Sequence, residues 1–245
     1  MNIPTDKEIE KKRYDLIAKK RLHFINQKDP LKFFFGSSSV KNTFRDPYKC
    51  YEKYIKEMVR SSSAALEIGA GEGRFTRVIL EHAETVHALD ISPISNQVNQ
   101  TLNKKYINLK VVEGDVESLP FDNESFDCVM NAGSLSYGSK TLVKGEILRV
   151  LKPGGHFICV DSLNNSFIYR LNRYIRYINN DRSKSTLLNM WNLSDINNFE
   201  KKFESYKLLT FGSLIFLEPI LVSLFGDEKF IKLSQYLDKK KFLQR

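Results

Sequence analysis

Between residues 64 and 161 the chain alternates short apolar runs with longer stretches of helical period. Runs at 64–68, 86–90, 109–113, 126–131 and 156–161 read as strands. Segments 74–82, 93–105 and 141–151 read as helices. Strands that alternate with helices form a parallel sheet covered on both faces. Right-handed crossovers then make that sheet doubly wound. Before it, residues 5–26 place Ile9, Leu16, Ile17 and Phe24 near one stripe of a helix, and 48–60 predict a second helix. Between them, 31–47 reads as a loop whose Phe33, Phe34 and Phe35 should pack on the main domain or line a pocket. After the alternating region, 166–180 predicts a helix. Ser194 is expected to cap another at 195–203, residues 205–211 predict a further strand, and the remainder reads as helical.

The expected architecture is therefore α/β: a doubly wound, mostly parallel sheet with helices on both faces. An N-terminal helical cap (1–60) precedes the core (61–165), and C-terminal helical additions (166–245) complete the sheet and shape a second site. Residues 1–60 hold too little apolar surface to fold alone, so they should cap the core. The apolar stretch 208–226 is long enough on count to span a bilayer, but Glu218, Pro219 and Gly212 interrupt it. It predicts a strand followed by a buried helix, not a transmembrane segment. No signal peptide opens the chain.

Composition adds exclusions. At 42% hydrophobic and 27% charged residues over 245 positions, the chain is that of an ordinary folded protein, neither collagenous nor disordered. Three cysteines form no disulfide framework and no CxxC pair; Cys128 and Cys159 lie in apolar runs and are expected to be buried, reduced thiols. No metal site is expected, and the cytoplasm is the expected compartment. The net charge of +9 is uneven. Residues 1–60 carry 15 basic and 8 acidic groups, 61–165 carry 9 and 13, and 166–245 carry 14 and 8. An acidic middle between basic flanks is not the footprint of a nucleic-acid binder.

Ligands of doubly wound sheets sit beyond the carboxyl ends of the strands. There the sequence places Glu67-Ile68-Gly69-Ala70-Gly71-Glu72-Gly73, a glycine-rich turn running into a helix. Glycines permit a tight turn and close ligand approach, and a helix start offers free N–H groups. The third glycine follows the second by two positions rather than three, which departs from the dinucleotide fingerprint. Asp90 ends the second strand, where a carboxylate accepts both hydroxyls of a ribose. Asp115 follows the third strand, placed for an adenine amino group, and Asn131 ends the fourth, facing the crevice centre.

The segments ALEIGAGEGRFT (64–76), ALDIS (88–92), GDVESLPF (114–121), FDCVMNAGSLSY (126–137) and LKPGGHFICVD (151–161) together resemble the class I S-adenosylmethionine-dependent methyltransferases. The resemblance implies S-adenosylmethionine as cofactor. It implies a binding set of Glu67, Gly69, Ala70, Gly71, Gly73, Asp90, Ile91, Asp115, Val116 and Asn131. Gly69 and Gly71 would cradle the methionine part, Asp90 would hold the ribose, Asp115 with the Val116 N–H would read adenine, and Ile91 would pack on its face. Lys152-Pro153-Gly154-Gly155 would be the turn feeding the fifth strand. Methyl transfer by in-line displacement asks mainly for alignment; a hydroxyl acceptor also asks for a base. Tyr137, His23 and Tyr48 are the candidates for that base.

The asparagine-proline-proline-aromatic pattern of base-nitrogen methylation is missing after Asn131, and no proline-cysteine pair is present, so nucleic acid is not the expected acceptor. Arg170, Arg173, Arg176 and Arg182 cluster after the fifth strand, and arginine forks suit phosphate. A small phosphate-bearing acceptor is expected: a nucleotide sugar, sugar phosphate or phospho-amine. The C-terminal half is also similar to methyltransferases associated with bacterial surface-polysaccharide synthesis. The alternatives are a lipid or quinone methyltransferase with 213–245 on a membrane surface, and a non-catalytic module that binds an adenosyl ligand. Oligomeric state is left open.

Overall fold

The computed structural model describes residues 5–27, 45–60, 63–165, 167–179, 182–212, 214 and 217–242. The expected phenylalanine loop at 31–47 falls largely outside them, Phe33, Phe34 and Phe35 included. Five strands, β1 (Ala64–Ile68), β2 (Thr85–Asp90), β3 (Leu109–Glu113), β4 (Phe126–Ala132) and β5 (Leu151–Val160), form one sheet in the order β3-β2-β1-β4-β5. All four pairings are parallel. The order reverses between β1 and β4, so a crevice opens beyond the carboxyl ends of those two strands.

The period of two along β1 sorts its side chains between two cores. Ala65 faces a layer built by α2 (Arg45–Met58) and α3 (Thr76–Leu80), with Tyr51, Ile55, Phe75 and Ile79 at its centre. Leu66 and Ile68 face α5 (Lys140–Val150) and α8 (Leu193–Glu200), with Val143, Ile147, Trp191 and Phe199. α1 (Asp6–Gln27) packs Ala18 and Ile25 against Val98 of α4 (Pro93–Leu102), which brings the N-terminal helix over the strand ends.

Several expectations need correction. Residues 205–211 form no strand: Tyr206 and Phe211 are exposed, and the segment makes no ladder pairing. A strand exists only through its neighbour's hydrogen bonds, and among the described residues the sheet is complete within 64–160. The apolar stretch near 218 forms α9 (Glu218–Phe225), followed by α10 (Asp227–Phe242). α9 is not buried, since Ile220, Leu224 and Phe225 are exposed. No described helix is long and apolar enough to cross a membrane. Asn192, not Ser194, caps α8. Its side chain accepts from the Asp195 N–H while the Asp195 carboxylate accepts from the Asn192 N–H, a reciprocal capping box. Lys152-Pro153-Gly154-Gly155 lies inside β5: Leu151 pairs with Phe126, and the register resumes only at His156 opposite Cys128. Cys128 is buried as expected, but Cys159 is exposed because β5 is an edge strand. The expected C-terminal helix is α6 (Phe167–Ile178), and a short helix the sequence reading omitted, α7 (Lys184–Leu188), follows it.

Candidate active site

The turn after β1 is built on backbone that only glycine adopts easily. Gly69, Gly71 and Gly73 have φ of 66°, 54° and 82°. A Cβ on Gly69 would lie 2.1 Å from Ser134 Oγ, and one on Gly73 would lie 2.2 Å from Asn99 Oδ1. These two glycines therefore serve close packing beneath the turn. Around Gly71 nothing lies within 4 Å of a Cβ position, so this is the glycine open to a ligand. Asn131 holds the turn from below. It is fully buried, its Nδ2 donates to Ile68 O at 3.1 Å, and it is not among the crevice-lining residues. The expectation that it faces the crevice is corrected, and Gly73 is likewise packed away.

The crevice has a volume of about 330 Å³. Glu67, Gly69, Ala70, Gly71, Asp90, Ile91, Asp115 and Val116 all line it, so eight of the ten expected cofactor residues converge on one cavity. The Asp90 carboxylate accepts from Gly71 N at 2.8 Å and Ser92 N at 2.9 Å, which fixes its rotamer at the strand end. Burial raises its pKa, against the pull of those N–H groups. Glu67 is 2% exposed and accepts from Thr76 Oγ1 at 2.5 Å. Burial, reinforced by the Asp90 charge, pushes its pKa up to about 8, while the Thr76 hydroxyl works the other way.

Helix α1 supplies what the sequence reading missed. Lys7 Nζ lies 2.5 Å from Asp115 Oδ2 and also pairs with Glu117. Ser92 Oγ donates to Asp15 at 2.6 Å, and Arg21 Nε lies 2.8 Å from Glu72. At the start of α7, the Asp6 and Glu10 carboxylates accept from Ser185 N at 2.7 Å and Ser183 N at 2.9 Å. α1 thus spans from the glycine turn to the C-terminal part. No sequence periodicity announces this, because its polar face is committed to partners far along the chain.

Beyond the glycine turn the crevice is walled by Tyr14, Tyr48 and Tyr137. Tyr14 and Tyr137 meet edge to face with ring centroids 5.6 Å apart, and their hydroxyls are hydrogen-bonded. The Arg182 guanidinium donates to the Tyr137 hydroxyl. Burial, then the neighbouring Tyr14, keeps Tyr137 protonated far above neutral pH despite Arg182. Burial, then Asp161, also raises Tyr48. Of the three proposed bases, Tyr48 and Tyr137 lie at the crevice. His23 is exposed on α1 and does not line it. Of the four arginines, none lines the crevice. Arg182 reaches it through Tyr137, whereas Arg170 and Arg176 are exposed on α6 and Arg173 bonds its own neighbour Tyr169 at 2.9 Å.

The crevice suits a nucleoside. Gly71 leaves an open approach, the Asp90 carboxylate stands at the end of β2, and Asp115 lines the same wall after β3.

Residues 66–159 match the family described as "Methyltransferase domain". A phthiotriol/phenolphthiotriol dimycocerosates methyltransferase from Mycobacterium leprae is 34% identical over 116 residues, 45% of this chain and 42% of that protein. A demethylmenaquinone methyltransferase from Tropheryma whipplei is 33% identical over 129 residues, 49% of this chain and 51% of that protein. The chain spans about half the length, or less, of the curated relatives it matches. The structure of the YcgJ protein from Bacillus subtilis superposes with a TM-score of 0.54 at 23% identity, covering 62% of this chain and 66% of that one. The sheet order, the glycine turn and the matched segment agree: residues 66–159 carry the family match of a methyltransferase domain, on the Rossmann-like α/β fold of such domains.

Proposed function

We propose that the chain transfers a methyl group from S-adenosylmethionine to an oxygen or nitrogen of a small acceptor that enters at the tyrosine end of the crevice. One observation carries this. The glycine turn, Asp90 and Asp115 line one wall of a cavity whose other residues include Tyr14, Tyr48 and Tyr137. The cofactor supplies a methyl group already activated on a sulfonium. The protein's part is then to bind, align and exclude water. Asp90 would receive the ribose hydroxyls, and Asp115 with the Val116 N–H would receive the adenine edge.

Tyr137 is held neutral, so we assign it to orientation of the acceptor rather than to proton removal. That favours an acceptor that arrives as its own nucleophile, such as a free amine or an acidic hydroxyl. Arg182 supports a phosphate on that acceptor. Its Nε is buried without a hydrogen-bond partner among the described residues, and an anionic group would satisfy it. A nucleotide sugar, sugar phosphate or phospho-amine fits this reading.

A lipid or quinone acceptor is the second reading, favoured by the names of the two relatives above. The test is transfer of a labelled methyl group to phosphorylated and unphosphorylated forms of the same sugars and amines, and to a short-chain quinol, with wild type and Arg182→Ala. Transfer to the phosphorylated forms, with KM raised roughly tenfold or more in the variant, supports the phosphate reading. Transfer to the quinol alone supports the second, and no transfer to any acceptor leaves the core as a binding module.

A further inference from the structure

Helix α6 is turned inside out. At 3.6 residues per turn, Tyr174, Phe167, Ile178, Leu171 and Ile175 fall within about 100° of arc. A buried helix would aim this arc at the core. Here the five are the exposed ones, with Phe167 at 71% and Ile178 at 59%. The opposite face, Tyr169, Arg173 and Tyr177, is the half-buried one. Arg173 lies near enough to Asp161 to pull that carboxyl's pKa down against the burial that raises it. The polar face of α6 therefore looks toward the active site, and its apolar face looks away from the protein.

Charge decides what covers that face. Arg170 is exposed just beyond one edge of the apolar arc, Arg176 is exposed farther round the helix, and the sequence holds no acidic residue between Asp161 and Asp181. A second copy pairing through α6 would bring two sets of arginines together. A surface that is apolar within and anionic without meets both needs. We propose that α6 lies in the interface of an anionic bilayer, with Phe167, Leu171, Ile175 and Ile178 among the acyl chains, Arg170 at the headgroups beside them, and Arg176 adding positive charge from farther round the helix. At 12 residues the helix is about 18 Å long, enough to lie on a leaflet and too short to cross it. The inference rests on α6 itself. The lipid or quinone reading would give it a use.

The test is co-sedimentation of the full chain with vesicles of phosphatidylcholine alone and of phosphatidylcholine with phosphatidylglycerol. Wild type should pellet with the anionic vesicles and release on adding salt. Arg170→Gln/Arg176→Gln should weaken that partition by about tenfold to thirtyfold. Leu171→Gln/Ile175→Gln/Ile178→Gln should reduce it to background. All five positions are exposed, so both variants should keep the wild-type melting temperature and its rise with S-adenosylhomocysteine, a readout that tests the cofactor site separately. Wild type left in the supernatant, equal binding to both vesicles, or undiminished binding by the apolar variant would each overturn the proposal. So would a concentration-dependent dimer that the apolar variant abolishes while vesicles capture nothing, because the face would then belong to a second copy.

Discussion

Glu67 should make the protein less stable as pH rises across neutrality. Its carboxyl is 2% exposed in the core between β1 and α3, with Thr76, Asp90 and Tyr51 as its polar neighbours. Burial raises its pKa from 4.5 to about 8. A raised folded-state value means that the native protein holds the proton more tightly than the unfolded chain does. The stability tied to that proton is fully present below pH 4.5, declines between 4.5 and about 8, and is lost above. Each pH unit inside that window is worth about 1.4 kcal/mol, so moving from pH 5 to pH 7.5 removes roughly 3 kcal/mol. Glu67→Gln keeps the shape and an acceptor for the Thr76 hydroxyl but removes the titration. Urea denaturation of both proteins from pH 5 to 8.5 should show the wild type falling steeply and the variant nearly flat over that range. The two curves should diverge by several kcal/mol at the alkaline end with similar m-values. Parallel curves would refute the reasoning, because another group would then carry the pH dependence.

Three other outcomes are expected. Gly69→Ala should lose about 2–3 kcal/mol, from a φ near the left-handed region and a Cβ thrust against Ser134, and should lower Tm by roughly 4–10 °C; adding Ser134→Gly should recover part of the loss in the same melt, and a wild-type Tm for the single variant would discard the clash. Asp90→Ala should abolish most of the Tm rise given by S-adenosylhomocysteine, and an unchanged rise would remove Asp90 from the site. Tyr137→Phe should raise the acceptor's KM while the alkaline limb of the pH–rate profile stays in place, because a neutral phenol orients without titrating; loss of an ionisation from that profile would make Tyr137 the base after all.

The strands could be read from sequence because each is a short apolar run bounded by turn residues, as in Ala64–Ile68 and Leu109–Glu113, whose limits match the structure. The glycine turn could be read for a related reason: three positive-φ positions leave a spelling that little else produces. The topology of the sheet pointed to Asp90 and Asp115 at the strand ends, and the family resemblance of the surrounding segments gave them their expected roles. What escaped was whatever depends on a distant partner. Lys7, Glu10 and Tyr14 look like a solvated helix face until Asp115, Ser183 and Tyr137 are brought against them. Residues 205–211 carry strand-like composition, but pairing, not composition, makes a strand. The arginines of 170–176 suggested an inward phosphate site. Spacing puts the three on one side of the helix, but only Arg173 at its centre is half-buried, where it bonds Tyr169, and Arg170 and Arg176 at its edges are exposed.

The central claim is that the crevice beyond β1 and β4 is an S-adenosylmethionine site. The most direct measurement is thermal unfolding of the full chain with S-adenosylhomocysteine and, separately, with NAD. A ligand at 100-fold excess over its dissociation constant stabilises the folded state by about 2.7 kcal/mol, which for a chain of this size moves Tm by roughly 5–10 °C. S-adenosylhomocysteine should produce that shift and NAD should produce none. A larger shift with NAD, or no shift with the adenosyl ligand at saturating concentration, would contradict the assignment of the site.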